Sequence, residues 1–282
     1  VEICAEAIIM KNAFSIDLEY WWCNEFLDRY LPANRKDYFK ESLKPLLDIL
    51  DKYNTRATFF VLGIVAERYP EVIEDIYSRG HEIACHAYSH QSIDKLGKDG
   101  LEEEIKKTLK YIGKYDPKGF RAPNFSLNKN TTWAFEILEK YGFRYDSSIF
   151  PIKTMLYGVP DAPIGIYRPS QEDITINNPD GAIIEFPLTV LKMGINIPVA
   201  GGFYLRVLPI WFLKWAIKQV NKTRPAVIYI HPWETYADIP KIKTPSLSRF
   251  IAYHGVGSSL QKIEALLKEF TFSTVREVLN EI

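Results

Sequence analysis

Seven short apolar runs recur along this chain, and the segments between them carry the period of a helix. The runs are AFSI (13–16), ATFFVLG (57–63), HEIAC (81–85), KGFRAP (118–123), FRYDSS (143–148), AIIEFPL (182–188) and AVIYI (226–230). Runs this short, bounded by turn residues, read as buried strands. Between the first two, YFKESLKPLLDILDKYN places Leu43, Leu46, Leu47 and Leu50 on one helical face. PEVIEDIYSRG reads as a helix closed by Gly80, and GLEEEIKKTLKYIGKY (100–115) as a helix with Glu-to-Lys pairs three and four apart. NKNTTWAFEILEKYG predicts a helix capped by Asn130 or Thr131 and ended at Gly142. Further helices fall at LPIWFLKWAIKQV and SSLQKIEALLKEF, and FTFST is followed by a short helical tail. Strands alternating with helices predict an α/β fold on a parallel sheet, either closed as a barrel or open and doubly wound. The 282 residues carry no linker or repeat, so the expectation is a single domain with its core over about residues 13–235. Residues 147–180, rich in Pro, Asp and Asn, are too long for a plain connection and read as a substrate-binding insertion.

Composition narrows the function. Thirty-five basic residues balance thirty-five acidic ones, which disfavours nucleic acid or an anionic membrane as partner. Three scattered cysteines make no disulfide framework and point to a reducing compartment. No apolar run reaches the length of a membrane span, so the expectation is a soluble, cytoplasmic protein. Met10 opens MKNAFSID like a natural start, which makes residues 1–9 either an upstream extension or a packed N-terminal segment. The oligomeric state has no signature in the sequence.

Ionisable residues gather where the strands end. Asp17 and Glu19 follow the first run, His86 and His90 the third, Arg121 sits in the fourth, and His231 follows the seventh. The C-terminal edge of a parallel sheet is where such folds build their sites. Two neutral imidazoles and one carboxylate suffice for a catalytic zinc shell with one position left for water. A second carboxylate can take a proton, and a third imidazole can return one to a leaving nitrogen. The set suits metal-assisted hydrolysis of an amide or ester.

These motifs, in this order, resemble the polysaccharide deacetylase family with its NodB homology domain. The resemblance runs from about Phe14 through His231. It implies a distorted (β/α)7 TIM-like barrel with the active site at the C-terminal ends of the strands. In SIDLE it makes Asp17 the catalytic base and Glu19 the metal-ligand carboxylate, although relatives more often carry adjacent aspartates. In HAYSH it makes His86 and His90 metal ligands. In RAPNF it has Arg121 hold the base and the backbone N–H of Phe125 polarise the substrate carbonyl. YDSSIFP resembles a fourth motif, with Asp146 a supporting partner, and YIHPWE supplies His231 as general acid. Glu234 is expected to orient His231 and raise its pKa; Trp233 either stacks on a sugar ring or packs. GGFYLRVLP together with YIHPWE resembles a subgroup associated with exopolysaccharide assembly.

The implied cofactor is a divalent metal, zinc first, with cobalt and nickel as alternatives. The implied reaction removes N-acetyl groups from an amino sugar or polysaccharide. Two rivals keep the same barrel: hydrolysis of a cyclic amide or ureide, and a non-catalytic carbohydrate-binding protein. Other residues read as structural. His81 is expected to pack or hydrogen-bond, Cys85 to face the core, and His254 to lack an evident partner. Tyr20, Trp21 and Trp22 either line a sugar groove or cover the barrel mouth.

Overall fold

The computed structural model describes residues 10–281, so the expectation about residues 1–9 lies outside the described residues. All seven predicted strands form: β1 (Asn12–Leu18), β2 (Thr58–Val61), β3 (Glu82–Cys85), β4 (Gly119–Phe120), β5 (Tyr145–Asp146), β6 (Ile184–Glu185) and, after an interruption, β9 (Val227–Ile230). They pair in parallel in the order β9-β1-β2-β3-β4-β5-β6, a curled sheet in barrel form. A further parallel strand, β10 (Phe272–Ser273), adds to the start of β1. The interruption is an antiparallel hairpin, β7 (Val190–Met193) and β8 (Ile195–Pro198), which periodicity did not announce. Its turn is at Gly194, in the left-handed region at φ +75°.

The ring is not closed by a backbone ladder. Among the described residues β9 pairs only with β1, and its outer edge is fastened by one side chain. Thr189 Oγ1 accepts from the Val227 N–H at 2.7 Å and donates to the Val227 carbonyl at 2.9 Å.

Helices cover the outside of the sheet because each presents one apolar face. α1 (Phe39–Lys52) buries Leu43, Leu46, Leu47 and Leu50 as the spacing predicted. α2 (Gly63–Arg68) and α3 (Pro70–Ser78) follow β2, and α4 (Ile93–Ile112) follows β3. α4 starts seven residues, about two turns, earlier than expected and is broken at Gly97 (φ +68°). α5 (Ala134–Lys140) starts later than expected: neither Asn130 nor Thr131 caps it. Thr131 Oγ1 instead accepts the Asn128 N–H at 2.8 Å, spent on the turn before the helix. Then come α6 (Gly202–Val207), α7 (Ile210–Val220), α8 (Ser246–Tyr253), α9 (Ser259–Leu267) and α10 (Val275–Asn280). Among the described residues no helix is long and apolar enough to cross a membrane.

Candidate active site

β1 is buried along its whole length, and Asp17 at its end shares a face with Glu19, two residues on. Arg121 meets Asp17 from just beyond β4. Its guanidinium is fully buried, stands 4.1 Å from the centre of the Phe60 ring, and spends every nitrogen. Nη1 donates to Asp17 Oδ1 at 2.7 Å and Ser15 Oγ at 3.0 Å, Nε to the Ser147 carbonyl at 2.8 Å, and Nη2 to Ser147 Oγ at 2.9 Å. A charge-assisted pair of this kind fixes the carboxylate's orientation. Asp17 Oδ2 is left facing His231 Nε2, 3.9 Å away.

HAYSH turns inward because its backbone is pinned on both sides. The N–H groups of Tyr88 and Ser89 donate to Glu104 Oε2 at 2.8 and 2.7 Å, and the Ala87 and Tyr88 carbonyls accept from Gly63 and Ile64 of α2. Ala87 and His90 take left-handed φ values of +58° and +65°, a strained choice for residues with a Cβ. His86 Nδ1 lies 2.7 Å from the Arg121 carbonyl, an acceptor only. Nδ1 therefore carries the proton, and the Nε2 lone pair faces the cleft. Burial, then His90, holds the His86 pKa down at about 3.

Glu19 sits between the imidazoles. Its Oε2 is 2.7 Å from His90 Nε2 and 4.0 Å from His86 Nε2, yet it is buried and meets no hydrogen-bond partner in line. Its Oε1 is 3.5 Å from His231 Nε2 and accepts from Trp233 Nε1 at 3.4 Å. Burial pushes the Glu19 carboxyl up, but His231, His90 and His86 outweigh it and hold the pKa below its usual value. His90 is the converse: burial lowers it, and Glu19 raises it further. An orphaned buried carboxylate oxygen beside two imidazoles is a donor set that fits a divalent ion.

His231 follows β9, and Pro232 opens a short turn that brings Glu234 back. Glu234 Oε2 accepts from the His231 backbone N–H at 3.1 Å and lies 2.9 Å from its Nδ1. Arg206 of α6 donates through Nε to Glu234 Oε1 at 2.8 Å. Its other nitrogens reach the Ile251 carbonyl at 2.8 Å and the His254 carbonyl. Gly202 makes room for this: a Cβ there would stand 1.6 Å from Glu234 Oε2. Burial works against the His231 cation, but Glu19, Glu234 and Asp17 together raise its pKa to about 9. Burial also works against the Glu234 anion, and Arg206 with His231 overcomes it, to about 2. Glu234 thus stands where the sequence expected it.

Two expectations, on Phe125 and Asp146, are corrected, and of the two readings of Trp233 the packed one is seen. The Phe125 N–H is committed to the Ala122 carbonyl at 3.1 Å, so it is not free to polarise a substrate carbonyl. Phe125 lines the cleft instead, with its ring 4.8 Å from that of Tyr229. Trp233 packs rather than offering a sugar platform, stacked on the His231 ring at 5.4 Å. Asp146 supports neither Asp17 nor His231 by a hydrogen bond: its carboxylate accepts the Ser148 N–H at 3.0 Å and hydroxyl at 2.6 Å. It is paired across the sheet with Glu185, whose pKa burial and Asp146 push far up.

The remaining readings fall on the structural side. His81 Nδ1 accepts the Ala57 N–H at 3.1 Å, and burial holds its pKa down at about 4. Cys85 is in the core. Trp21 is buried in a cluster with Trp233, and Tyr20 stacks on Trp22 at 4.3 Å; none of the three lines the cleft. His254 packs on Phe250 at 4.6 Å and gives its carbonyl to Arg206.

Sequence reasoning missed Arg206 and Cys23. Arg206 lies four residues after the GG of a stretch singled out only for its resemblance. Cys23 lies four residues after Glu19, the spacing that separates His86 from His90, and that repeat was the available signal. Both line a cleft of about 260 Å³ at the C-terminal ends of the strands, with Asp17, Glu19, His86, His90 and His231. Its far wall is apolar, including Met155, Leu156 and Leu247, so part of the 147–180 segment does line the cleft. Glu25 is there too, its pKa pushed by burial up to about 7.

Residues 34–145 match the polysaccharide deacetylase family model. The chain carries a polysaccharide deacetylase domain. Residues 147–280 match a second model, a domain of unknown function (DUF3473), and both matches fall on the one sheet. Asp17 and Glu19 lie upstream of the deacetylase match, and His231 lies inside the second. Over 95 residues the chain is 38% identical to a peptidoglycan-N-acetylglucosamine deacetylase of Bacillus cereus, covering 32% of this chain and 34% of that protein. The match thus spans about a third of that relative's length. Among solved structures, a putative polysaccharide deacetylase from Mycobacterium smegmatis aligns with a TM-score of 0.59 at 17% identity, over 96% of this chain and 90% of that one. A CE4 family pseudoenzyme from Bacillus anthracis aligns at 0.50 and 15% identity, over 97% of this chain and 66% of that one. The deacetylase domain's fold is therefore shared with a protein described as inactive, and activity has to be argued from side chains.

Proposed function

We propose that this chain is a metal-dependent hydrolase that removes N-acetyl groups from an amino sugar within a polysaccharide. The observation that carries the reading is the pair of proton-transfer groups, each fixed by a buried partner, facing each other beside a buried carboxylate and two imidazoles. Glu19, His86 and His90 would hold the ion, which we take to be zinc. When bound, a divalent ion makes water a stronger acid and polarises a carbonyl. Asp17, held through Oδ1 by Arg121, offers Oδ2 to take the proton of the attacking water. His231 stands 3.9 Å across from that oxygen, and Glu234 on its Nδ1 and Asp17 across the cleft both favour its charged form. It gives its Nε2 proton to the departing amine, while Nδ1 remains on Glu234. Trp233, stacked on the ring, keeps the imidazole plane in place.

The test is acetate release from N-acetylglucosamine oligosaccharides with added zinc or cobalt, using Asp17→Asn as the blank. Metal-dependent release that is absent from the blank is the expected result. Release that persists in Asp17→Asn would remove Asp17 as base, and none from any N-acetylated sugar would remove the substrate assignment.

A further inference from the structure

The ligand set implied by resemblance leaves out one donor that the fold carries into the same place. Donor atoms of Glu19, Cys23 and His90 all lie within 4.8 Å of one another. Two donors on one zinc ion stand at most about 4.4 Å apart, since Zn–S is about 2.3 Å and Zn–N or Zn–O about 2.1 Å. The three are thus close to the reach of a shared ion before any ion is bound.

The thiol is held there by the chain around it. Cys23 ends a turn (Trp21–Cys23) that leaves β1 almost directly, and its N–H donates to the Tyr20 carbonyl at 3.0 Å. Trp21 anchors the turn: it is buried, and its Nε1 donates to the Lys36 carbonyl at 3.0 Å. The Tyr20–Trp22 stack clamps the other side. Cys23 forms no disulfide and borders the cleft. Independently of the cysteine, Glu19 Oε2 is a polar atom of a residue only 3% exposed, without a hydrogen-bond partner and directed into this cluster.

We propose that Cys23 is a thiolate ligand of the divalent ion in this site, joining Glu19, His90 and His86. The inference rests on the metal reading of the site and deepens it. Two anionic and two neutral donors balance the charge of a divalent ion. A soft sulfur among imidazoles favours zinc or cobalt over magnesium or manganese, which prefer oxygen.

Cobalt tests this without an activity assay. The full chain, loaded with cobalt(II), should show ligand-field bands in the visible and a sulfur-to-cobalt charge-transfer band in the near ultraviolet. Cys23→Ser should lose the near-ultraviolet band and keep the visible ones, whereas Cys4→Ser and Cys85→Ala keep both. Visible bands without the near-ultraviolet band in the unmodified chain overturn the assignment of Cys23 alone, as does a band that survives Cys23→Ser. A chain that takes up no cobalt overturns the metal site as a whole. Should Cys23→Ser not fold, iodoacetamide labelling of the unmodified chain decides: zinc should slow alkylation of Cys23 at least about tenfold, and equal labelling with and without zinc rejects the ligand.

Discussion

Two buried arginines serve this cleft, one from each matched half of the chain, and the same device ends in opposite protonation roles. Arg121 and Arg206 each spend one edge on a carboxylate and the rest on backbone carbonyls or hydroxyls. Arg121 acts on the reacting carboxylate itself and leaves Asp17 an acceptor with one free oxygen. Arg206 acts one step back: it holds Glu234 as an anion, and Glu234 in turn keeps His231 a cation. Between the two, Glu19 keeps an oxygen that no hydrogen bond uses.

The sharpest way to break the comparison is at its first reacting atom. Asp17→Asn keeps the shape but removes the acceptor, and deacetylation should fall about 10²- to 10⁴-fold, as for loss of a general base. Steady-state acetate release measures it; a loss under tenfold would deny Asp17 that role. Next come the arginines, read by urea denaturation. Arg121→Met strands Asp17 in the interior and should cost about 3–5 kcal/mol, the usual cost of breaking a buried pair. Arg206→Met should cost less, because Glu234 keeps His231 as a partner. Equal losses would mean that the two pairs do not differ as described.

A smaller effect separates the roles by pH. Glu234→Gln removes one of the charges that raise His231, so the alkaline limb of kcat/KM should move to lower pH; an unmoved limb would remove Glu234 from the acid's machinery. The last effect is on stability against pH. His231 is raised from 6.5 to about 9 in the metal-free fold, so its contribution is complete below pH 6.5 and is lost as pH rises through 9. Metal-free protein should therefore be easier to denature with urea at pH 9.5 than at pH 6, and His231→Gln should flatten that difference.

How much of this was legible in the sequence follows from what fixes each part. The seven strands were, because each is an apolar run whose burial the sheet demands, and their ends marked Asp17, His86, Arg121 and His231. The Glu234–His231 contact was legible because it is local, three residues apart. Arg206 was not: its partner is 28 residues away, and only the packing of α6 against the turn after β9 brings them together. The Phe125 expectation failed for a backbone reason. Asn124 and Phe125 both take left-handed φ values, and this tight turn uses the N–H that the motif had suggested was free. The hairpin of β7 and β8 escaped notice because its strands are half exposed and lack an apolar run.

The threonine at the open edge of β9 has a mechanical consequence. His231 is carried at the tip of a strand with a backbone ladder on one side and two side-chain hydrogen bonds on the other. Moving that strand outward breaks two contacts of a single hydroxyl and leaves every other rung of the sheet intact. The barrel thus has a seam, and His231 stands at the end of the stave beside it.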